Sequence, residues 1–275
     1  MPGTASNTPS GNMGRAIAFS AALALLAPAG GAEGAEIADE RFTITYDGVS
    51  AERIAAFHRE AREAFAALTA YLDVHFEGRI HIQIGGRGRA PTVDAQSALI
   101  RISADRFHGL APGPSGTIGR VPAIVHDIAD VILPSRNHDW GGLLQYGLGV
   151  FLQERFGGGA RAYPAMGREI HRTTAELIVD FEGFVRLQDS ARLLERLQFG
   201  RAHRVTMMHQ ASFVKHLVER RGGLEPFLRV HQGQSLKRVY GADLCGLEAE
   251  WIAYLVERFP ETAQFAQTRE GCTEF

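Results

Sequence analysis

The sequence predicts an α+β fold, mostly α: a small N-terminal β-sheet with one helix, followed by an all-helical half. Three observations predict it. Apolar residues alternate with polar ones, the period of a half-buried strand, only between residues 42 and 102. From residue 121 onward they recur at steps of three and four, the period of a helix. Strands precede helices instead of alternating with them, which sets the chain apart from a βαβ repeat. At 275 residues with 45% hydrophobic and 22% charged content, the chain can bury a sizeable core in one unit or in two lobes that share it.

The elements follow in order. Residues 1–32 read as a secretory leader: Arg15 is the one cation of the first fifteen residues, and Ala16–Ala27 form an apolar run. That run is too short for a bilayer, which takes about 20 residues. The small-residue stretch Pro28-Ala29-Gly30-Gly31-Ala32 then places cleavage between Ala29 and Glu33. The mature chain is expected to be secreted or periplasmic, with no membrane span once the leader is removed. Phe42, Ile44 and Tyr46 mark a first strand, Ile80, Ile82 and Ile84 a second, Ile100 and Ile102 a third. Between the first two, Ile54, Phe57, Ala61, Phe65, Leu68 and Leu72 draw one stripe along a helix. Gly85-Gly86-Arg87-Gly88-Arg89 and Ala111-Pro112-Gly113-Pro114-Ser115-Gly116 are expected loops, the first a solvated basic turn. The N-terminal α/β lobe is thus expected over 40–120 and the helical lobe over 121–260.

In the helical lobe the pattern predicts helices over 121–133, 142–156, 165–182, 188–198, 204–221, 224–231, 234–240 and 246–258. Pro122 suits a first helical turn, while Gly157-Gly158-Gly159 and Gly222-Gly223 are stops. The tail, 261–275, is expected to be loosely held.

Charge and cysteine content narrow the function. With 29 Lys and Arg against 31 Asp and Glu, the formal net charge is −2, so there is no global basic field to hold a nucleic acid. Arg192, Arg196, Arg201 and Arg204 form a local basic region, expected on an exposed face. Two cysteines, Cys245 and Cys272, are too few for a disulfide-built miniprotein. In an oxidising compartment they are disulfide candidates that would pin the tail to the last helix, or else two separate thiols.

The informative segment is Val121-Pro122-Ala123-Ile124-Val125-His126-Asp127-Ile128-Ala129-Asp130-Val131-Ile132-Leu133. It is apolar around its whole circumference, as a helix buried on nearly all sides is. His126, Asp127 and Asp130 are its only titratable residues, and 126 and 130 stand one turn apart on one face. Desolvating a lone carboxylate costs several kcal/mol, so two of them here require partners.

This helix resembles the zinc helix of gluzincin metallopeptidases, His-Glu-x-x-His, written here His126-Asp127-Ile128-Ala129-Asp130. Leu143-Leu144-Gln145-Tyr146-Gly147-Leu148-Gly149-Val150-Phe151 is similar to the family's second helix, Trp-Leu-x-Glu-Gly-Leu-Ala-x-Tyr, with Tyr146 where the ligand glutamate stands. Gln210–Gly222 and Leu247–Leu255 are similar to its later helices. The resemblance implies a gluzincin metallopeptidase-like fold over residues 40 to 258. It also implies that Tyr146 lies against the His126/Asp130 face, with its hydroxyl serving a buried carboxylate.

The departures fall on the chemistry. A hydrolytic zinc needs three protein ligands, a water and a carboxylate to take that water's proton. Of the family's two histidines and glutamate only His126 remains, and Asp127 is one methylene shorter than the general base. The expectation is therefore no catalytic residue, no metal and no cofactor: an exported pseudoenzyme acting as a binding or structural module. Its partner would be a peptide or an envelope protein in the remnant cleft. The alternative is an active zinc metallopeptidase or metallohydrolase with non-standard ligands, His126 and Asp130 plus a third, for which His138, His171, His203 and His209 are further candidates.

Overall fold

Five strands make one sheet in the order β1-β2-β3-β5-β4, formed by β1 (Ala35–Ala38), β2 (Phe42–Tyr46), β3 (Ile80–Ile84), β4 (Thr92–Asp94) and β5 (Leu99–Ile102). The structure is a computed structural model and describes residues 34–86, 92–106, 124–157, 163–197 and 200–266. The leader, the loops expected at 87–89 and 111–116, most of the tail and Cys272 lie outside these residues. The central pairs β2–β3 and β3–β5 are parallel and the two edge pairs antiparallel. Register lines up Ile37, Ile44, Ile82, Ile100 and Val93 as one row across all five strands. Against that face lies α1 (Ala51–Leu72), whose stripe of Ile54, Phe57, Ala61, Leu68 and Leu72 is buried. Ser50 caps it, its hydroxyl accepting from the Arg53 N–H.

Two strands exceed the three expected. β1 and β4 each carry one branched apolar residue, Ile37 and Val93, between exposed neighbours, so neither shows an alternation.

The rest of the described chain is helical: α2 (Ile124–Ile132), α3 (Gly141–Phe156), α4 (Ile170–Phe181), α5 (Leu187–Arg196), α6 (Arg201–Arg220), α7 (Leu224–His231), α8 (Leu236–Tyr240), α9 (Leu244–Arg258) and α10 (Ala263–Ala266). α6 is the hub, lying against α3, α4, α5, α7 and α9, with every residue from Val205 to Val218 buried. Sheet and helices share one hydrophobic core, and the described residues from Gly34 on form one compact unit. No helix among the described residues is long and apolar enough to cross a membrane.

Three expectations change. α4 starts at 170, not 165, because Met166 and Gly167 adopt left-handed φ of 60° and 74° and the Glu169 carboxylate then caps the helix. The tail does not loosen at 261: a 3-10 turn over Pro260–Thr262 buries Thr262, and α10 follows. Arg192, Arg196 and Arg201 are exposed, but Arg204 is half-buried, its Nε donating to the Pro164 carbonyl at 2.9 Å.

Candidate functional site

α2 lies between α1 and α3, and all its residues except Asp130 are buried. It ends ahead of Pro134, which has no N–H to continue the ladder. α3 reaches closest to α2 at Gly149. A Cβ there would stand 2.5 Å from His126 Cδ2 and 2.7 Å from its Cγ, so only the bare backbone lets the imidazole lie against α3.

His126 and Asp130 face each other with Nε2 and Oδ2 3.5 Å apart. Asp130 Oδ1 accepts from Gln145 Nε2 at 2.6 Å. The Gln145 carbonyl oxygen accepts from the Ser135 N–H at 2.6 Å and from His231 Nε2 at 3.1 Å. His231 Nδ1 in turn accepts from Gln232 Nε2 at 3.1 Å. The chain of donors and acceptors runs in one direction, which fixes His231 as the Nε2–H tautomer. It joins four separated segments: α2, the turn at Ser135, α3 and the end of α7.

Burial sets the electrostatics. It pushes the Asp130 carboxyl up to about 7, the Gln145 hydrogen bond only partly opposing it. Burial also holds His126 below the usual imidazole range, against the pull of the neighbouring Asp127 carboxylate. His231 is lowered to about 4 by burial alone. Burial thus favours the neutral form of each of these three groups.

The residues singled out in the sequence are brought together in part. Tyr146 packs edge-on against His126, ring centroids 6.3 Å apart, and is 38% exposed. A donor to the Asp130 carboxylate is its neighbour Gln145. Asp127 is buried on α2. The other histidines stand elsewhere. His138 is exposed; His171 Nδ1 meets Ser212 Oγ at 2.8 Å; His203 stacks on Tyr163; and His209 Nδ1 donates to the Val205 carbonyl at 2.8 Å. Gln145 and His231 were missed. A glutamine inside an apolar run was a usable signal, since a buried amide demands partners. His231, 86 residues further on, gave none. Cys245 on α9 is disulfide-bonded, and the sequence's other cysteine lies outside the described residues.

Zinc fits these residues only partly. Two ligand atoms about 2.0–2.2 Å from a tetrahedral zinc stand roughly 3.3–3.6 Å apart, which the His126–Asp130 separation matches. Among the described residues the adjoining side chains, the Tyr146 phenol and the Gln145 amide whose N–H₂ faces Asp130, supply no good third ligand. Among the described residues no group of three or more His, Cys, Asp or Glu is arranged to hold a metal ion.

A second buried polar cluster lies on α6. Lys215 Nζ meets Glu154 at 2.5 Å, Glu169 at 3.2 Å and Glu219 at 3.6 Å. Close by, Ser212 Oγ accepts from Trp251 Nε1 at 3.0 Å. It is a tie between helices α3, α4, α6 and α9.

No family model matches this chain, and neither a curated protein nor a solved structure is similar to it.

Proposed function

We propose that the protein is an exported gluzincin-like domain that binds a peptide or an envelope protein and does not hydrolyse it. The observation that carries this reading is the environment of Asp130. At the position of the family's second histidine stands a carboxyl group engaged by Gln145 and facing His126, so that position is taken up by contacts within the protein. Hydrolysis needs the opposite, a ligand set left open for metal and water.

Support for the scaffold comes from the order of elements, a small sheet with one helix, then α2, α3 and the later helices, and from the approach of Tyr146 to His126. Support for export comes from the short apolar run with its small-residue break. A disulfide at Cys245 suits an oxidising compartment. The partly exposed Tyr146 beside the buried pair gives a partner an aromatic surface of the kind that anchors interfaces.

One observation favours a metallohydrolase instead, the His126–Asp130 spacing that two zinc ligands would share. Assaying the purified protein on a fluorogenic peptide library with zinc added separates the two. The expected result is the same background turnover for the unmodified protein and for His126→Ala. Zinc-dependent turnover that His126→Ala abolishes would establish the hydrolase reading.

A further inference from the structure

On the far side of α6 from Gln145, the helix and α9 enclose a pocket of about 450 Å³ lined by His216, Arg220, Tyr254, Glu257 and Arg258. Its size lies within the range of about 300–1,000 Å³ typical of small-molecule sites. The spacing explains its chemistry: 216 and 220 stand one turn apart on α6, and 254 and 258 one turn apart on α9, so each helix presents one face to the same space.

His216 is only 5% exposed, and among the described residues neither Nδ1 nor Nε2 has a hydrogen-bond partner. Two bare ring nitrogens in a buried residue are costly unless something meets them. Its ring leans on Tyr254, centroids 5.1 Å apart. Tyr254 is the wall that orders both arginines: the Arg220 guanidinium lies 5.1 Å from its ring centroid, and Arg258 Nη1 donates to its hydroxyl at 3.1 Å. Arg221, next along, pairs with Glu250 at 3.3 Å. Arg220 and Arg258 form no ion pair among the described residues and meet aromatic faces instead. Burial and the charges of Arg220 and Arg221 keep His216 neutral, lowered to about 4.

We propose that this pocket is a binding site for a small oxyanion, a carboxylate or a phosphate. Arg220 and Arg258 would clamp it from the rim, His216 would form the floor and Tyr254 the flat side. Two guanidinium groups against the single Glu257 carboxylate set the sign of the ligand, and guanidinium forks match both anions bidentately. The site is independent of the α2–α3 site and of whether that site ever holds zinc.

The test follows the ring nitrogens of all histidines by NMR in the full chain, titrated separately with inorganic phosphate and with succinate at constant ionic strength. The expected result is a saturable shift at His216 with at least one probe and none at exposed His138. A response to phosphate alone assigns the phosphate class, and to succinate alone the carboxylate class. The double variant Arg220→Gln/Arg258→Gln should weaken binding at least tenfold. Glu257→Gln, an exposed change on the same rim, should tighten it about threefold through loss of the opposing charge. No saturable shift at His216 with either probe, or an affinity that ignores both variants, would overturn the proposal.

Discussion

Asp130 keeps a carboxyl group inside a helix that is otherwise apolar and buried, apart from its two polar neighbours. Its side chain retains 17% exposure, and one strong donor, Gln145, holds it. Burial still dominates, so the folded protein holds a proton on Asp130 up to about pH 7, whereas an unfolded aspartate releases it near 3.8. The folded state then binds more protons between those values, and the contribution of Asp130 to stability is present below about pH 3.8 and lost as pH rises through 7. Asp130→Asn keeps the acceptor for Gln145 and removes the titration. Urea midpoints measured from pH 4 to 8 should show this variant gaining on the unmodified protein as pH rises to 7 and levelling off beyond. A difference independent of pH would mean that Asp130 is ionised throughout. The need for a partner was legible in the sequence, because two carboxyls in an apolar helix cannot stand alone. The partner's identity was not, since Gln145 and Tyr146 are neighbours and one residue of rotation on α3 decides which reaches Asp130.

Among the elements, α3 does most to position the site, and two glycines let it. Gly149 leaves room for His126, as described above. Gly147 does the same on the α6 side, where a Cβ would stand 2.4 Å from a Val214 methyl and 2.7 Å from the Gln210 carbonyl oxygen. Replacing a helical glycine by alanine gains about 1 kcal/mol in propensity. Overpacking against backbone costs about 1–3 kcal/mol or more, because helix must move from helix. Gly147→Ala is therefore expected to lower stability, by a net of up to about 2 kcal/mol or more. Gly142→Ala in the same helix, whose Cβ would meet the Ala191 Cβ at 3.4 Å, should be neutral or stabilise slightly. Denaturant unfolding of the pair checks this, and equal effects would contradict the close α3–α6 approach. The sequence marked α3 by its apolar steps and its Gly157 stop but gave no hint of which glycines face which helix. The strands tell the same story: β2, β3 and β5 carry two or three large apolar residues each and declare themselves, whereas β1 and β4 owe their existence to pairing with a neighbour.

For the whole molecule, the division into a small sheet with one helix and a long helical half was legible because the hydrophobic period changes between residues 102 and 121. What held the helical half together was less so. Its hub, α6, buries His209, Gln210, Ser212, Lys215 and His216 among apolar neighbours, and the partners of Ser212 and Lys215 include Trp251 and Glu154, far away in sequence. On the function proposed above, a gluzincin-like scaffold persists here while its metal chemistry has been lost. Equilibrium zinc titration, run side by side on the unmodified protein and on the triple variant Asp127→Glu/Asp130→His/Tyr146→Glu, tests it most directly. The unmodified protein should take up no stoichiometric zinc. The variant, with two histidines and a glutamate restored at the family's spacing, should bind close to one equivalent with tetrahedral N/O coordination. Tight stoichiometric binding by the unmodified protein would contradict the loss of the site, and a well-folded variant that binds none would contradict the gluzincin-like scaffold itself.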